Sequence, residues 1–347
     1  MKKLIYSLFI IFLSFTVSCN KKYVPRQTIT ISLEKFKLDS TGIRAIEVLN
    51  DTSIMYAGSI GDIGILTNLG EEILKRTIKT DSVIPHFRAL ASTNKAHFIL
   101  NVGNPALLYK LENDSITIVY KEMNEKVFYD SMQFFDELNG IAMGDPTEDC
   151  LSIILTHDGG NTWQKIPCNN LPKIQEGEAA FAASNTNIAI VGSNAWIATG
   201  GIKSRVFHTP DMGKTWEVFN TPIIQGKNTT GIYSVAFFYE NQGIICGGDY
   251  TDKFGNYANK ALTFDGGKTW KVVSENLPPK YVSCVQYIPN TQGNEVVAVS
   301  TNGIFFSNNK GKNWQKVSNE SFYAIRFINE NEAWLSGNEV IAKMYVE

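Results

Sequence analysis

The sequence predicts an all-β fold, a seven-bladed β-propeller whose ring is closed by its own N-terminal strand. Three observations predict it. An eight-residue phrase recurs four times at blade-length spacing, a paired-strand pattern recurs around it, and no segment reads as a long amphipathic helix.

The N-terminus sets the compartment. Lys2 and Lys3 precede an apolar run from Leu4 to Val17, which meets Ser18 and Cys19. A basic start, a short apolar stretch and small residues before a cut site describe a secretory signal. The run is too short to span a bilayer. Thr16-Val17-Ser18-Cys19 resembles a bacterial lipobox, with Thr16 where Leu is usual, which implies lipidation of Cys19. Ordinary secretion with an incidental cysteine is the other reading. The polar stretch Asn20 to Gln27, with Pro25, reads as a tether. The organisation expected is therefore a lipoprotein signal at 1–18, a tether at 19–27 and a propeller at 28–347. No acidic run follows Cys19, so the expected location is the cell envelope, on the periplasmic side of the outer membrane.

Composition narrows the class. The net charge is −2, and loss of Lys2 and Lys3 would leave −4. No basic block or basic amphipathic stretch is present, which argues against nucleic acid as a partner. Apolar residues at 44% suffice for a globular core. No Pro/Gly/Ser-rich linker divides the chain, so a repeat accounts for its length better than two domains do.

The repeat reads Thr156-His157-Asp158-Gly159-Gly160-Asn161-Thr162-Trp163, then Thr209-Pro210-Asp211-Met212-Gly213-Lys214-Thr215-Trp216, then Thr263-Phe264-Asp265-Gly266-Gly267-Lys268-Thr269-Trp270. A degraded copy runs Ser307-Asn308-Asn309-Lys310-Gly311-Lys312-Asn313-Trp314. The tryptophans stand 53, 54 and 44 residues apart, as counted along the chain, and four short strands with their turns need about that length. In a hairpin tip, Asp accepts hydrogen bonds from its own turn, and Gly supplies a positive φ. Trp then covers the apolar base of the hairpin.

These residues resemble the Asp-box, or BNR, repeat of sialidases and related propellers. The resemblance implies boxes between third and fourth strands, on the face away from the functional one, with Asp158, Gly160, Trp163, Asp211, Gly213, Trp216, Asp265, Gly267, Trp270 and Trp314 all structural. Phased on the boxes, an inner strand followed by an apolar strand ending in Gly recurs. Blade 1 has Arg44 to Asn50 then Ile54 to Gly58, and blade 2 has Arg88 to Thr93 then His97 to Gly103. Blade 3 has Met132 to Phe135 then Gly140 to Gly144. Blade 4 is placed from about Ala179 to Thr221, blade 5 begins with Val235 to Phe238, and blade 6 runs from Tyr281 to Ser318. The end of the chain holds three strands, and the alternating stretch Thr28 to Phe36 supplies the missing outer one. This phrasing is similar to the photosystem II assembly and stability factor-like propellers more than to sialidases.

Four cysteines follow Cys19. Extending the blade 3 hairpin sets Cys150 nearly opposite Cys168, a disulfide candidate in an oxidising compartment; two buried thiols is the alternative. Cys246 and Cys284 are placed on inner strands as apolar filling. No Cys/His cluster has metal spacing, so no metal and no cofactor are expected.

The candidate site is the face opposite the boxes. Three second-to-third connections there are long: Gly144 to Cys150, Gly192 to Ser204 with Trp196, and Gly247 to Lys260 with Asp249, Tyr250, Asp252 and Tyr257. One position near the start of each inner strand holds Arg44, Arg88, Asp130, Glu178, Tyr233, Ser283 and Tyr323, with Arg326 deeper. The chain has six arginines, so Arg44 and Arg88 on neighbouring blades suggest contact with an anion or carboxylate, although polar residues also line any wet channel mouth. Two functions are weighed. One is a non-enzymatic scaffold docking a protein or glycan. The other is a glycoside hydrolase, sialidase-like or endo-glucanase-like. The sialidase resemblance implies three converging arginines and an Arg-Ile-Pro near the N-terminus, yet the chain has only Pro25-Arg26 there. An endo-glucanase needs two carboxylates, about 5–5.5 Å apart if retaining or 6.5–9.5 Å if inverting; Asp130 and Glu178 are the candidate pair. Binding is favoured over catalysis.

Overall fold

The computed structural model describes residues 23–79, 83–255 and 257–347. The leader, Cys19 and tether residues 20–22 lie outside the described residues, so the signal and lipidation expectations are not addressed by it.

The described strands sort into seven four-stranded antiparallel units. Blade 1 comprises residues 43–50, Ser53–Gly58, Asp62–Thr67 and Glu72–Thr77. Blade 2 comprises Phe87–Ser92, His97–Asn101, Ala106–Glu112 and Ser115–Glu122. Blade 3 follows with Tyr129–Phe134, Gly140–Gly144, Ser152–Thr156 and Gln164–Lys165, and blade 4 with Ile188–Val191, Asn194–Ala198, Arg205–Thr209 and Glu217–Asn220. Blade 5 has Thr230–Tyr239, Gln242–Asp249, Lys260–Thr263 and Lys271–Val272; blade 6 has Cys284–Tyr287, Val296–Ser300, Gly303–Ser307 and Gln315–Ser318. Ala324–Asn329, Glu332–Ser336 and Asn338–Val346 begin blade 7, and residues 31–37 complete it. Each inner strand contacts the next, and that of blade 7 contacts that of blade 1, which closes the ring.

One strand, Ile31–Asn50, serves two blades. Its first part pairs from Ile31↔Val346 to Lys37↔Val340, and its second part pairs with Ser53–Gly58. Burial follows position in the blade. Ser53–Gly58 is buried throughout because blades cover both its faces, whereas Glu72–Thr77 alternates half-buried with exposed. Between blades 2 and 3, Phe98, Tyr129, Met132 and Trp163 interlock, and each such aromatic contributes about 1.5–3 kcal/mol on full burial.

The boxes sit between third and fourth strands, on what we term the underside. In blade 4, Asp211 Oδ1 accepts from the Thr215 amide at 2.8 Å and the Thr209 hydroxyl at 2.9 Å, while Oδ2 accepts from the Thr215 hydroxyl at 2.7 Å. Asp158 and Asp265 repeat the pattern. The blade 6 copy keeps the two bonds made through one oxygen: Asn309 Oδ1 accepts from the Asn313 amide at 2.9 Å and the Ser307 hydroxyl at 3.0 Å. Trp216, Trp270 and Trp314 donate Nε1–H to the carbonyls of Gly213, Gly267 and Gly311, whereas Trp163 Nε1 lies buried without a partner. Gly213 has φ +90°, and a Cβ there would stand 2.7 Å from Leu155 of blade 3. The box glycine thus permits both the turn and the close blade contact.

Three placements differ from expectation. The inner strand of blade 4 is Ile188–Val191, not a segment opening at Glu178; Glu178–Ala179 pairs instead with Gly200–Gly201. Trp196 therefore lies on a second strand rather than in a long loop, and Cys246 too is on a second strand. Cys150 and Cys168 are disulfide-bonded, Cα atoms 5.4 Å apart, although the ladder stops at Lys165 and Cys168 opens a short 3-10 turn. Cys246 and Cys284 are buried free thiols.

Candidate functional site

The central channel is obstructed by the chain's own backbone. Residues 180–187, between Glu178–Ala179 and the blade 4 inner strand, reach into it and bond to all six other blades. Arg44 of blade 1 donates to the Ala183 carbonyl at 2.9 Å, and Arg88 of blade 2 to the Ala182 carbonyl at 2.8 Å. Asn185 Nδ2 donates to the Leu90 carbonyl at 2.7 Å, while its Oδ1 accepts from the Met132 amide at 2.9 Å and the Ser131 hydroxyl at 3.2 Å. Thr186 donates to Ser234 Oγ of blade 5 at 2.8 Å, and Ser184 to the Ser283 carbonyl of blade 6 at 2.7 Å. Arg326 of blade 7 donates to the Ser184 and Asn185 carbonyls at 3.0 and 3.3 Å. Asn185 adopts φ +57°, a region its short amide tolerates.

Above this plug, opposite the boxes, lies a bowl of about 450 Å³. Phe128, Phe181, Tyr233, Tyr250, Tyr281 and Tyr323 line it, with Arg44, Arg88, Lys253 and Asp145 among them. Phe181 stacks on Tyr233 at a centroid separation of 4.2 Å, and the Arg44 guanidinium lies 3.9 Å over the Tyr323 ring. Arg88 Nε donates to His86 Nε2 at 2.9 Å. Burial and then the Arg44 charge draw the Arg88 guanidinium down to about 10. Burial and the same two arginines push His86 down to about 4, so its ring is neutral and accepts that bond. Asp145, held by the Ala180 amide at 2.7 Å, is pushed up to about 6 by burial. The two guanidiniums face the bowl together with no carboxylate bonded to either among the described residues.

Of the residues singled out from sequence, the structure brings Arg44, Arg88, Tyr233, Tyr250 and Tyr323 together here. Asp130 and Glu178 do not form an open carboxylate pair. Glu178 is locked by Arg205, whose Nε and Nη2 reach it at 3.0 and 2.5 Å, and by the Thr199 hydroxyl at 2.6 Å. Asp130 is fully enclosed with neither oxygen bonded, and burial, then Asp145, hold its carboxyl well above the usual range. Trp196 is 1% exposed; it stacks on Phe237 at 3.7 Å and donates to the Gly266 carbonyl, which makes it the seat of the blade 5 box rather than a rim anchor. Asp249 accepts from the Thr251 amide and hydroxyl and shapes the loop that carries Tyr250. Arg326 is buried against the plug, and Ser283 Oγ is turned to backbone carbonyls. Sequence reasoning missed the plug, Phe181 and Tyr281. One signal was present: Trp163 to Trp216 is nine residues longer than the 44-residue span from Trp270 to Trp314, as counted along the chain.

Among the described residues no group of three or more His, Cys, Asp or Glu is placed to hold a metal, and no helix is long and apolar enough to cross a membrane. No family model matches the chain, and no curated protein matches it. Solved structures do. YCF48 bound to D1 peptide is 15% identical with a TM-score of 0.65, over 92% of this chain and all of that one. YCF48 from Cyanidioschyzon merolae is 12% identical with a TM-score of 0.63, over 90% and 99%. The WD40 repeats of RRP9 are 12% identical with a TM-score of 0.66, over 92% and 100%. At these identities the likeness shows the propeller fold alone.

Proposed function

We propose that this protein is a non-enzymatic capture scaffold, tethered to the envelope through Cys19, whose bowl binds a segment of a protein partner. The observation that carries this reading is the pair Arg44 and Arg88. Each guanidinium gives one N–H to the plug and keeps others for a ligand, inside an aromatic rim that supplies contact area. Such a rim with a cationic floor suits an acidic side chain or carboxylate flanked by apolar residues. The peptide in the YCF48 complex, on a similar scaffold, supports a protein ligand over a glycan.

The test avoids the arginines, because Ala at either would orphan a buried plug carbonyl. Tyr250 and Lys253 line the bowl without hydrogen-bonding the plug; Tyr250 meets it only edge-on at the Phe181 ring, centroids 6.3 Å apart. Tyr250→Ala with Lys253→Glu is expected to abolish partner capture from solubilised membranes while leaving the melting temperature unchanged. Capture at the parental level would sink the bowl as the binding site. A glycan array bound by the parent and lost in this variant would assign the bowl to sugar instead.

A further inference from the structure

Residues 23–27 are not a loose tether. The Glu295 carboxylate, fully buried, accepts from the Tyr23 hydroxyl at 2.5 Å, the Arg26 amide at 2.7 Å, Arg26 Nε at 2.8 Å and Arg26 Nη2 at 2.6 Å. Arg26 also reaches the Glu330 carbonyl at 3.3 Å. Asn308 donates to the Arg26 carbonyl at 3.0 Å, and Gln315 to that of Gln27 at 3.0 Å. A buried carboxylate with four donors, two of them from one guanidinium, is a fixed attachment rather than a surface contact.

The position of this strap is informative. Glu295 and Glu330 lie in the turns between inner and second strands of blades 6 and 7, Asn308 lies in the blade 6 box, and Gln315 starts the outer strand beyond it. All four belong to the underside. The bowl opens on the other side of the ring.

We infer that the strap orients the molecule on a lipid surface, box face toward the bilayer and bowl away from it. This rests on the acylation of Cys19 proposed above. Cys19 and Tyr23 are four Cα steps apart, at most about 14 Å of extended chain. The underside of blades 6 and 7 is therefore held within that reach of the headgroups. The five-residue strand Val296–Ser300 alone adds about 17 Å of thickness before the opposite face begins. Charge agrees with the assignment. Lys268, Lys310 and Lys312 stand in the boxes of blades 5 and 6, Lys21 and Lys22 lie in the intervening chain, and Phe264, exposed in the same region, sits 5.7 Å from the Lys310 ammonium. Lysine beside an exposed aromatic fits the interface of an anionic membrane.

The test uses the protein purified from its own membrane and reconstituted into vesicles containing doxyl-labelled lipid. Acyl on Cys19, the disulfide and the buried Cys246 and Cys284 leave an introduced cysteine as the one labelling site. A bimane at Lys312→Cys on the underside should be quenched several-fold more than one at Asn228→Cys on the bowl face. Equal or reversed quenching, with acyl found on Cys19 by mass spectrometry, would overturn the orientation alone. Absence of acyl would overturn the anchor and the orientation with it. A twenty-residue Gly/Ser insertion between Lys22 and Tyr23, which leaves the strap intact, should bring the two signals together; an unchanged ratio would show that the short tether does not set the orientation.

Discussion

A guanidinium has five N–H donors in one plane and no acceptor, so a half-buried arginine can serve two neighbours at once. Arg44 and Arg88 do this, each donating to a plug carbonyl while facing the bowl. The titratable groups around them pull in opposite directions. Asp145 rises from 3.8 to about 6 in the folded chain through burial, so its contribution is fully present below pH 3.8 and lost as pH rises through 6. His86 falls from 6.5 to about 4, so its contribution is present above pH 6.5 and lost as pH falls through 4. Between those limits the two oppose each other. Asp145→Asn keeps an acceptor for the Ala180 amide, and relative to the parent it should make stability climb more steeply with pH across this window. His86→Gln keeps an acceptor for Arg88 and should tilt the profile the other way. Urea denaturation at several pH values reads both slopes; parallel profiles for the two variants would refute the assignment. The polar character of the channel mouth was legible in Arg44, Arg88 and Tyr233. Their double duty was not, because it depends on a segment distant in sequence. Glu178 misled for a related reason, since the Arg205 that neutralises it is 27 residues away.

At the scale of the element, the box was the most legible feature, because each of its contacts is local. Thr, Asp and Gly bond within eight residues in all three Asp-bearing copies, so the pattern survives a change of blade context. What the pattern omits is its seat on the preceding blade. Trp196 receives the blade 5 box and Leu155 the blade 4 box, and neither position carries a recognisable phrase. The blade 6 copy shows how much the aspartate matters. Asn309 keeps the amide and hydroxyl bonds made through one oxygen and lacks the bond that Asp265 Oδ2 accepts from Thr269. Asp265→Ala should therefore lower stability by about 1–2 kcal/mol through the loss of three hydrogen bonds partly open to solvent, whereas Asp265→Asn should lower it by about half of that or less. Denaturant midpoints at constant m-value provide the comparison, and equal losses would show that the second oxygen carries the motif.

The whole molecule is a ring tied across its middle. A propeller needs only neighbour-to-neighbour packing to close, yet here residues 180–187 bond to every other blade. Asn185 makes three of those bonds, to blades 2 and 3. Asn185→Ala would leave the Leu90 carbonyl and the Met132 amide unpaired inside the channel, a loss of about 2–4 kcal/mol. Faster amide exchange should follow in the inner strands of blades 2 and 3, with blade 6 unaffected; uniform change or none would argue against a localised tie. Ring, phase and closing strand were readable because each rests on periodicity or alternation. The plug was not, since Ala180 to Asn187 has no period and its partners are scattered from Arg44 to Arg326. The closing strand also places the molecule in time. Residues 31–37 are among the first of the domain to be made, and their partners, 340–346, are the last. No ring can exist until the last of these strands has been made, and during that interval the first strand waits with a bare edge. Glu34, Lys35 and Lys37 lie along it, charges that keep the waiting edge from pairing with a stranger.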